Sequence, residues 1–184
     1  MAPITGSVPF SFVSSYNKEV QKAKSVFLSH PFPPLYDGAS RILILGSFPS
    51  VKSREQAFYY GHPQNRFWRL LSQVYQEDAP GTVEEKTALV LRHHLALYDV
   101  IDGCEILGSS DASIRQVKPS DLSRIHSPLK TILLNGETAG KLFERYQASL
   151  TGLPFFILPS TSPANASKSL ADLVEAWRPF LLDN

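Results

Sequence analysis

The chain has 184 residues, 43% of them hydrophobic and 19% charged, with a net charge of +1 at neutral pH, a composition that suits one globular domain and excludes a disordered chain. No apolar run approaches a membrane span, and "MAPITGSVPF" lacks the basic start and apolar core of a secretory leader. One cysteine, Cys104, excludes an intrachain disulfide and a cysteine-rich metal or iron–sulfur centre, so an intracellular location is expected and any nucleic-acid surface must be a local basic patch.

Residues 1–40 are expected to be irregular. Lys18, Lys22 and Lys24 read as a solvated helix face. "FLSHPFPPLYDG", with Pro31, Pro33 and Pro34, reads as an extended segment clamped across the domain surface. From residue 41 the pattern alternates strand and helix. Residues 41–45 form a short continuous apolar run that predicts a buried strand. Helical periodicity covers Phe67–Tyr75 through Phe67, Leu70, Leu71 and Val74, and covers 84–94 through Ala88, Leu89, Leu91 and His94. Residues 96–101 predict a second strand, 120–126 a short helix begun by a Ser cap, and 131–134 a third strand ending at Asn135-Gly136. Glu137–Tyr146 predicts a helix and Phe155–Leu158 a fourth strand. Leu170, Leu173, Val174 and Trp177 mark one face of a C-terminal helix that Pro179 is expected to end. Four short buried strands separated by helices predict an open, largely parallel α/β sheet with helices on both faces.

Ligands on such sheets bind outside the carboxyl ends of the strands. Here those ends read "GSFPS", "YDVIDGC", "NGETAG" and "PSTSPAN". Any one of them is an ordinary turn. Four together, with an aromatic cluster after the first, point to a shared crevice. None matches a phosphate-loop or dinucleotide fingerprint.

The longest of these segments, "GSFPSVKSREQAFYYGHPQNRFW", sets an uncharged Asn among tyrosines, a His-Pro and an aromatic pair. It has neither triad nor metal-ligand spacing. "GSFPS" followed by "YYGHPQNRFW" resembles the first motif of the uracil-DNA glycosylase superfamily, and within it the hypoxanthine-DNA (DNA-deoxyinosine) glycosylase family. "HP-x-NRFW" is also similar to the mismatch-specific uracil-DNA glycosylases. "ALYDVIDGCEILGSSDASIRQVKPSDL", "TILLNG" and "LPSTSPANA" fit the hypoxanthine family in the right order, so the resemblance runs from about Phe32 to Ala166.

The resemblance implies a three-layer α/β/α sandwich around a four-stranded, largely parallel sheet. It also implies a monofunctional glycosylase that needs no metal and no cofactor. The implied partner is double-stranded DNA containing a deaminated base, met by a monomer. A base inside a duplex cannot be attacked, so it is flipped into a pocket at a cost of a few kcal/mol. Aromatic walls recover roughly 1–3 kcal/mol of that by stacking. Tyr60 falls where the superfamily places its stacking aromatic, with Phe48 a second candidate wall and Tyr59 a packed core or rim aromatic. Gly46, Ser47 and Pro49 complete the first turn of the implied base pocket.

Relatives with "G-x-N-P-G" carry a catalytic Asn two positions after the motif glycine, where this chain has Phe48. The resemblance transfers that role to Asn65, which would position a water or stabilise the departing base. Its alternative is an N-cap or turn residue before the Phe67 helix. Ser50 stands where relatives commonly have glycine and would narrow the pocket beside Phe48. Asp99 either reads a purine edge or organises its loop. Asn135 either faces the pocket or serves as a turn residue. Ser160, Thr161 and Ser162 supply hydroxyls and N–H groups near an expected helix start, a pattern suited to phosphates, and Asn165 is a DNA contact or a cap. Asp111 and Asp121 are expected to fix loops, His93 and His94 to end a helix, His62 to shape the pocket and Cys104 to be buried. Ile106 replaces an arginine of the family's "CER" stretch. Lys52, Arg54, Arg66 and Arg69 are the candidate basic patch, with Arg54 and Arg66 the expected DNA contacts. The rival readings are a uracil- or mismatch-specific glycosylase of the same fold, a non-catalytic module that binds nucleotides or damaged DNA, and a generic nucleotide-binding α/β protein.

Overall fold

The computed structural model describes residues 26–107 and 113–182. Lys18, Lys22, Lys24 and Asp111 lie outside them. In chain order the elements are β1 (Val26–Ser29), β2 (Ile42–Gly46), α1 (Val51–Gln56), α2 (Phe67–Tyr75), α3 (Val83–Arg92), β3 (Leu95–Asp99), β4 (Ile101–Ile106), β5 (Arg115–Pro119), a 3-10 turn (Leu122–Arg124), β6 (Thr131–Asn135), α4 (Glu137–Tyr146), α5 (Ala148–Thr151), β7 (Phe155–Leu158) and α6 (Leu170–Leu182).

The central sheet has four parallel strands in the order β3-β2-β6-β7. β2 lies between β3 and β6, and all five of its residues are buried, which is why its sequence is a continuous apolar run rather than an alternating one. α3 packs on β3, α4 on β6 and β7, and α2 on α6. The result is the expected α/β/α sandwich. Its core includes Phe67, Phe143 and Trp177, each fully buried. Truncating any of these to Ala is expected to cost about 3–5 kcal/mol.

Five expectations are corrected. Residues 26–29, expected to be irregular, form strand β1, paired antiparallel with β4. The run 96–101 is not one strand: the chain leaves the central sheet at Val100, and β4 enters a second, antiparallel sheet in the order β1-β4-β5. The break is held by Val100 N and Ile101 N, which donate to Gly46 O and Ser47 O at 2.9 and 3.2 Å. The short helix at 120–126 is a 3-10 turn capped by Asp121, whose Oδ1 accepts from Ser123 N, rather than by Ser120. Pro179 does not end α6, which runs on to Leu182. The lost N–H faces the carbonyl of exposed Glu175, where water can satisfy it, while buried Trp177 and Leu181 hold the last turn in place. "PSTSPAN" does not abut a helix start, since α6 begins only at Leu170.

Residues 30–36 follow the expected extended path. Leu35 exchanges backbone hydrogen bonds with Leu97 at 2.8 and 2.9 Å, tying the segment to the edge of β3. Among the described residues no helix is long and apolar enough to cross a membrane.

Candidate active site

The parallel strands point their carboxyl ends at one cavity of about 290 Å³. Gly46 ends β2, Asp99 ends β3 and Asn135 ends β6, and all three line it with Ser160, Thr161 and Ser162 from the loop after β7. Ser47, Phe48, Pro49 and Ser50 form one side, and Tyr60 and Asn65 another. Asn165, Arg54 and Arg66 do not line it. Phe32 and Ile106 do, and so does Tyr59, which is otherwise a core residue whose hydroxyl donates to Pro33 O at 2.9 Å.

Asn65 is placed by the turn that His62 builds. His62 O accepts from Asn65 N at 2.8 Å, and His62 Nδ1 accepts from Gln64 N at 3.1 Å. His62 itself does not line the cavity; it shapes the turn that presents Asn65. Asn65 Oδ1 then accepts from Phe67 N, the first residue of α2, at 3.0 Å. The helix-start reading and the pocket reading therefore describe one side chain: the carbonyl end anchors the amide plane, and the residue lines the cavity.

Tyr60 sits at a φ of 51°, a left-handed conformation that costs a non-glycine residue about 1–2 kcal/mol. That backbone aims its ring at the site, where one face stacks on Phe67 with centroids 3.8 Å apart. Its hydroxyl is buried beside the Asn135 side chain and makes no hydrogen bond of ordinary geometry within the protein. Burial, reinforced by the nearby Asp99 carboxyl, pushes the Tyr60 phenol well above its ordinary range, and the same two causes act on Tyr59. Both phenols are neutral at physiological pH.

Asp99 makes a contact that sequence reading missed. Its Oδ2 lies 2.8 Å from Nε2 of His30, a residue of the proline-rich segment. Its Oδ1 lies over Gly46, where an added Cβ would come within 2.4 Å of it, so only glycine fits at the end of β2. The distance of 69 positions between His30 and Asp99 leaves no local signal for the pair.

Arg66 and Arg54, the expected DNA contacts, also make hydrogen bonds within the protein. Arg66 donates to the carbonyls of Thr161, Ser162, Asn165 and Lys168, clamping the "PSTSPAN" loop onto the start of α2. Arg54 donates to Pro49 O at 2.6 Å and lies over the Phe48 ring, bracing the pocket wall. Asn135 and Thr161 are bonded reciprocally: Asn135 Nδ2 donates to Thr161 Oγ1, and Thr161 N donates to Asn135 Oδ1, both at 2.9 Å. Asn165 Nδ2 donates to Ser160 O at 2.9 Å within its own loop. Lys52 is paired with Glu55. Away from the site, His93 stacks on Tyr75 and bonds Glu77, and Cys104 is buried.

The cavity at the strand ends is walled by aromatics and furnished with amides and hydroxyls, groups able to stack on and hydrogen-bond a planar heterocycle. The family model of the uracil DNA glycosylase superfamily matches residues 33–181. The chain belongs to the uracil DNA glycosylase superfamily. Within the superfamily it is 36% identical over 140 residues to a hypoxanthine DNA glycosylase of Methanosarcina acetivorans, covering 73% of this chain and 86% of that protein. It is 33% identical over 152 residues to a hypoxanthine DNA glycosylase of Methanosarcina barkeri, covering 79% and 93%. A solution NMR structure of a Methanosarcina acetivorans chain assigned to the uracil DNA glycosylases superposes with a TM-score of 0.68 at 32% identity, covering 80% of this chain and 95% of that one. Among the described residues no cluster of three or more His, Cys, Asp or Glu side chains is arranged to hold a metal ion.

Proposed function

We propose that the protein is a monofunctional DNA glycosylase that removes hypoxanthine from deoxyinosine in double-stranded DNA, acting as a monomer. The observation that carries this reading is Asn65: a neutral amide, locked through Oδ1 to the start of α2, on the wall of a cavity that also holds the Tyr60 ring. The hypoxanthine DNA glycosylases that resemble the chain over most of their own length support the choice of base.

The chemistry follows from that arrangement. The flipped base enters between the aromatic walls. The C1′–N9 bond breaks with its electron pair leaving on the base, and positive charge develops on the sugar. The Asn65 amide, already held in place, donates from Nδ2 toward the negative charge growing on the departing base. The sugar cation is electrophilic enough for a positioned water to add at C1′ without a strong base. The water's proton passes to the departing base or to solvent. Arg66 and Asn135 act one step back, by fixing the loop that carries Ser160, Thr161 and Ser162 beside the flipped nucleotide.

Base release from duplexes holding one deoxyinosine, deoxyuridine or deoxyxanthosine, in excess EDTA, tests the proposal. Hypoxanthine is expected to be released fastest, with no loss to the chelator. Faster uracil release would assign the chain to the mismatch-type reading. Binding without release of any base would make it a recognition module, and activity restored only by added metal would overturn the mechanism.

A further inference from the structure

His30 lies in the strap that precedes β2, and it is built into position. Its backbone N donates to Asp102 O at 2.7 Å. Its ring packs against Phe32 and Tyr98, with centroids 4.5 and 4.9 Å away. Phe32 N lies 3.5 Å from Nδ1, and since a carboxylate oxygen can only accept, the hydrogen shared with Asp99 is carried on Nε2. Nε2 therefore donates to Asp99 Oδ2, and both side chains are almost wholly buried. With Oδ2 so engaged, Oδ1 lies over Gly46 on the cavity floor.

The resemblance already offers Asp99 as a reader of the base edge; we infer that His30 is the positioning residue for that reading, holding Oδ1 toward the base as a fixed acceptor for a ring N–H. The inference rests on the excision reading above and deepens it. Deamination turns the amidine edge of adenine into a lactam: the amine at C6 becomes a carbonyl, and N1 changes from a lone pair to an N–H. Cytosine changes in the same way at N3. A buried carboxylate oxygen rewards the N–H with a charge-assisted hydrogen bond. It meets the unmodified ring nitrogen with lone pair against lone pair and leaves both unsatisfied. One fixed oxygen thus distinguishes the damaged base from its parent without touching the exocyclic group. Asp99 alone would not be enough, since a carboxyl group free to rotate could turn either oxygen away.

The test compares duplexes carrying deoxyinosine with duplexes carrying deoxynebularine, a purine nucleotide with a bare N1. Equilibrium binding and single-turnover base release are both measured. The wild-type protein is expected to favour deoxyinosine in binding. Asp99→Asn should reduce that preference by about 10- to 100-fold, the loss expected when a buried hydrogen-bond match is removed. His30→Ala should reduce it by about tenfold, and His30→Gln, which keeps an N–H within reach of Asp99, should restore most of it. Because His30 acts through Asp99, His30→Ala should have no further effect in the Asp99→Asn background. An unchanged preference in His30→Ala, or additive losses in the double variant, overturns the inference, as would a His30→Gln protein no more selective than His30→Ala. Should His30→Ala not fold, Asp99→Asn and His30→Gln decide alone. Selective binding with no base release from any variant or from the wild type would sink the excision reading and leave the His30–Asp99 assignment standing.

Discussion

Replacing Asn65 by Ala removes one hydrogen bond that the structure shows and one donor that the proposed mechanism requires. The first is the hydrogen bond from Phe67 N to Oδ1 at the start of α2. Losing a contact of this kind costs about 1 kcal/mol, or roughly 2–4 °C in Tm for a domain of this size. The second is the donation from Nδ2 to the departing base that the proposed mechanism assigns to this amide. Removing one preorganised donor of that sort lowers the chemical step by about 100-fold or more, equivalent to ~2.7 kcal/mol of transition-state stabilisation. Asn65→Asp divides the pair, because a carboxylate still accepts from Phe67 N but offers no N–H. Single-turnover release of hypoxanthine with enzyme in excess, beside thermal melts, reads both quantities. Asn65→Ala should lose rate and a few degrees of Tm with nearly unchanged binding to deoxyinosine DNA. Asn65→Asp should lose rate with the native Tm. If Asn65→Ala excises at a near-native rate and is only less stable, the residue is a helix anchor and nothing more. The search would then pass to the buried hydroxyl of Tyr60, since the amides of Asn135 and Asn165 are both bonded within the protein.

Tyr60→Ala should weaken binding to deoxyinosine DNA together with the rate, by roughly 1–3 kcal/mol of lost stacking, as titrated by fluorescence anisotropy. Arg66→Ala should lower the melting temperature and the excision rate while leaving the salt dependence of DNA binding unchanged, because its guanidinium is bonded to loop carbonyls rather than directed at phosphates. A flattened salt slope would return Arg66 to the DNA interface. Alkali should unfold the protein from about pH 10 upward: Tyr59, Tyr60, Tyr75 and Tyr98 have phenols raised above their ordinary value of 10.0, chiefly by burial. The folded state holds those protons where the unfolded chain releases them, so stability is intact below pH 10 and falls as pH rises. Phenolate absorbance should appear together with the loss of structure, and gradual ionisation of a still-folded protein would contradict the sign.

The central sheet was readable because each of its strands is a short apolar run bounded by turn residues, and the convergence of four polar strand ends located the cavity. The second sheet was not. β1 and β5 are partly exposed, and β4 continues from β3 with a single residue between them, so no break in hydropathy marks the change of sheet. Asn65 and Tyr60 stood out through their company of aromatics. His30 did not, because its partner is supplied by the fold and its neighbours are prolines that read only as a strap. The bonds Arg66 makes to the loop were hidden for a related reason: a cation beside a motif looks the same in sequence whether or not it meets carbonyls of the same chain. Pro179 shows that a helix breaker can be outweighed by an apolar stripe that continues past it.

The order β3-β2-β6-β7 also governs when the cavity can exist. Ile42 must find Leu95 on one side and Thr131 on the other, and the floor closes only when the strap brings His30 to Asp99. None of these pairings is local, and loop-closure entropy must be met before any of them contributes. Such a topology folds slowly and as a unit, with little of the site present in partly folded chains. On the mechanism proposed above, a partly folded molecule has no half-built pocket, and the capacity to break a glycosidic bond arrives together with the geometry proposed to choose which one.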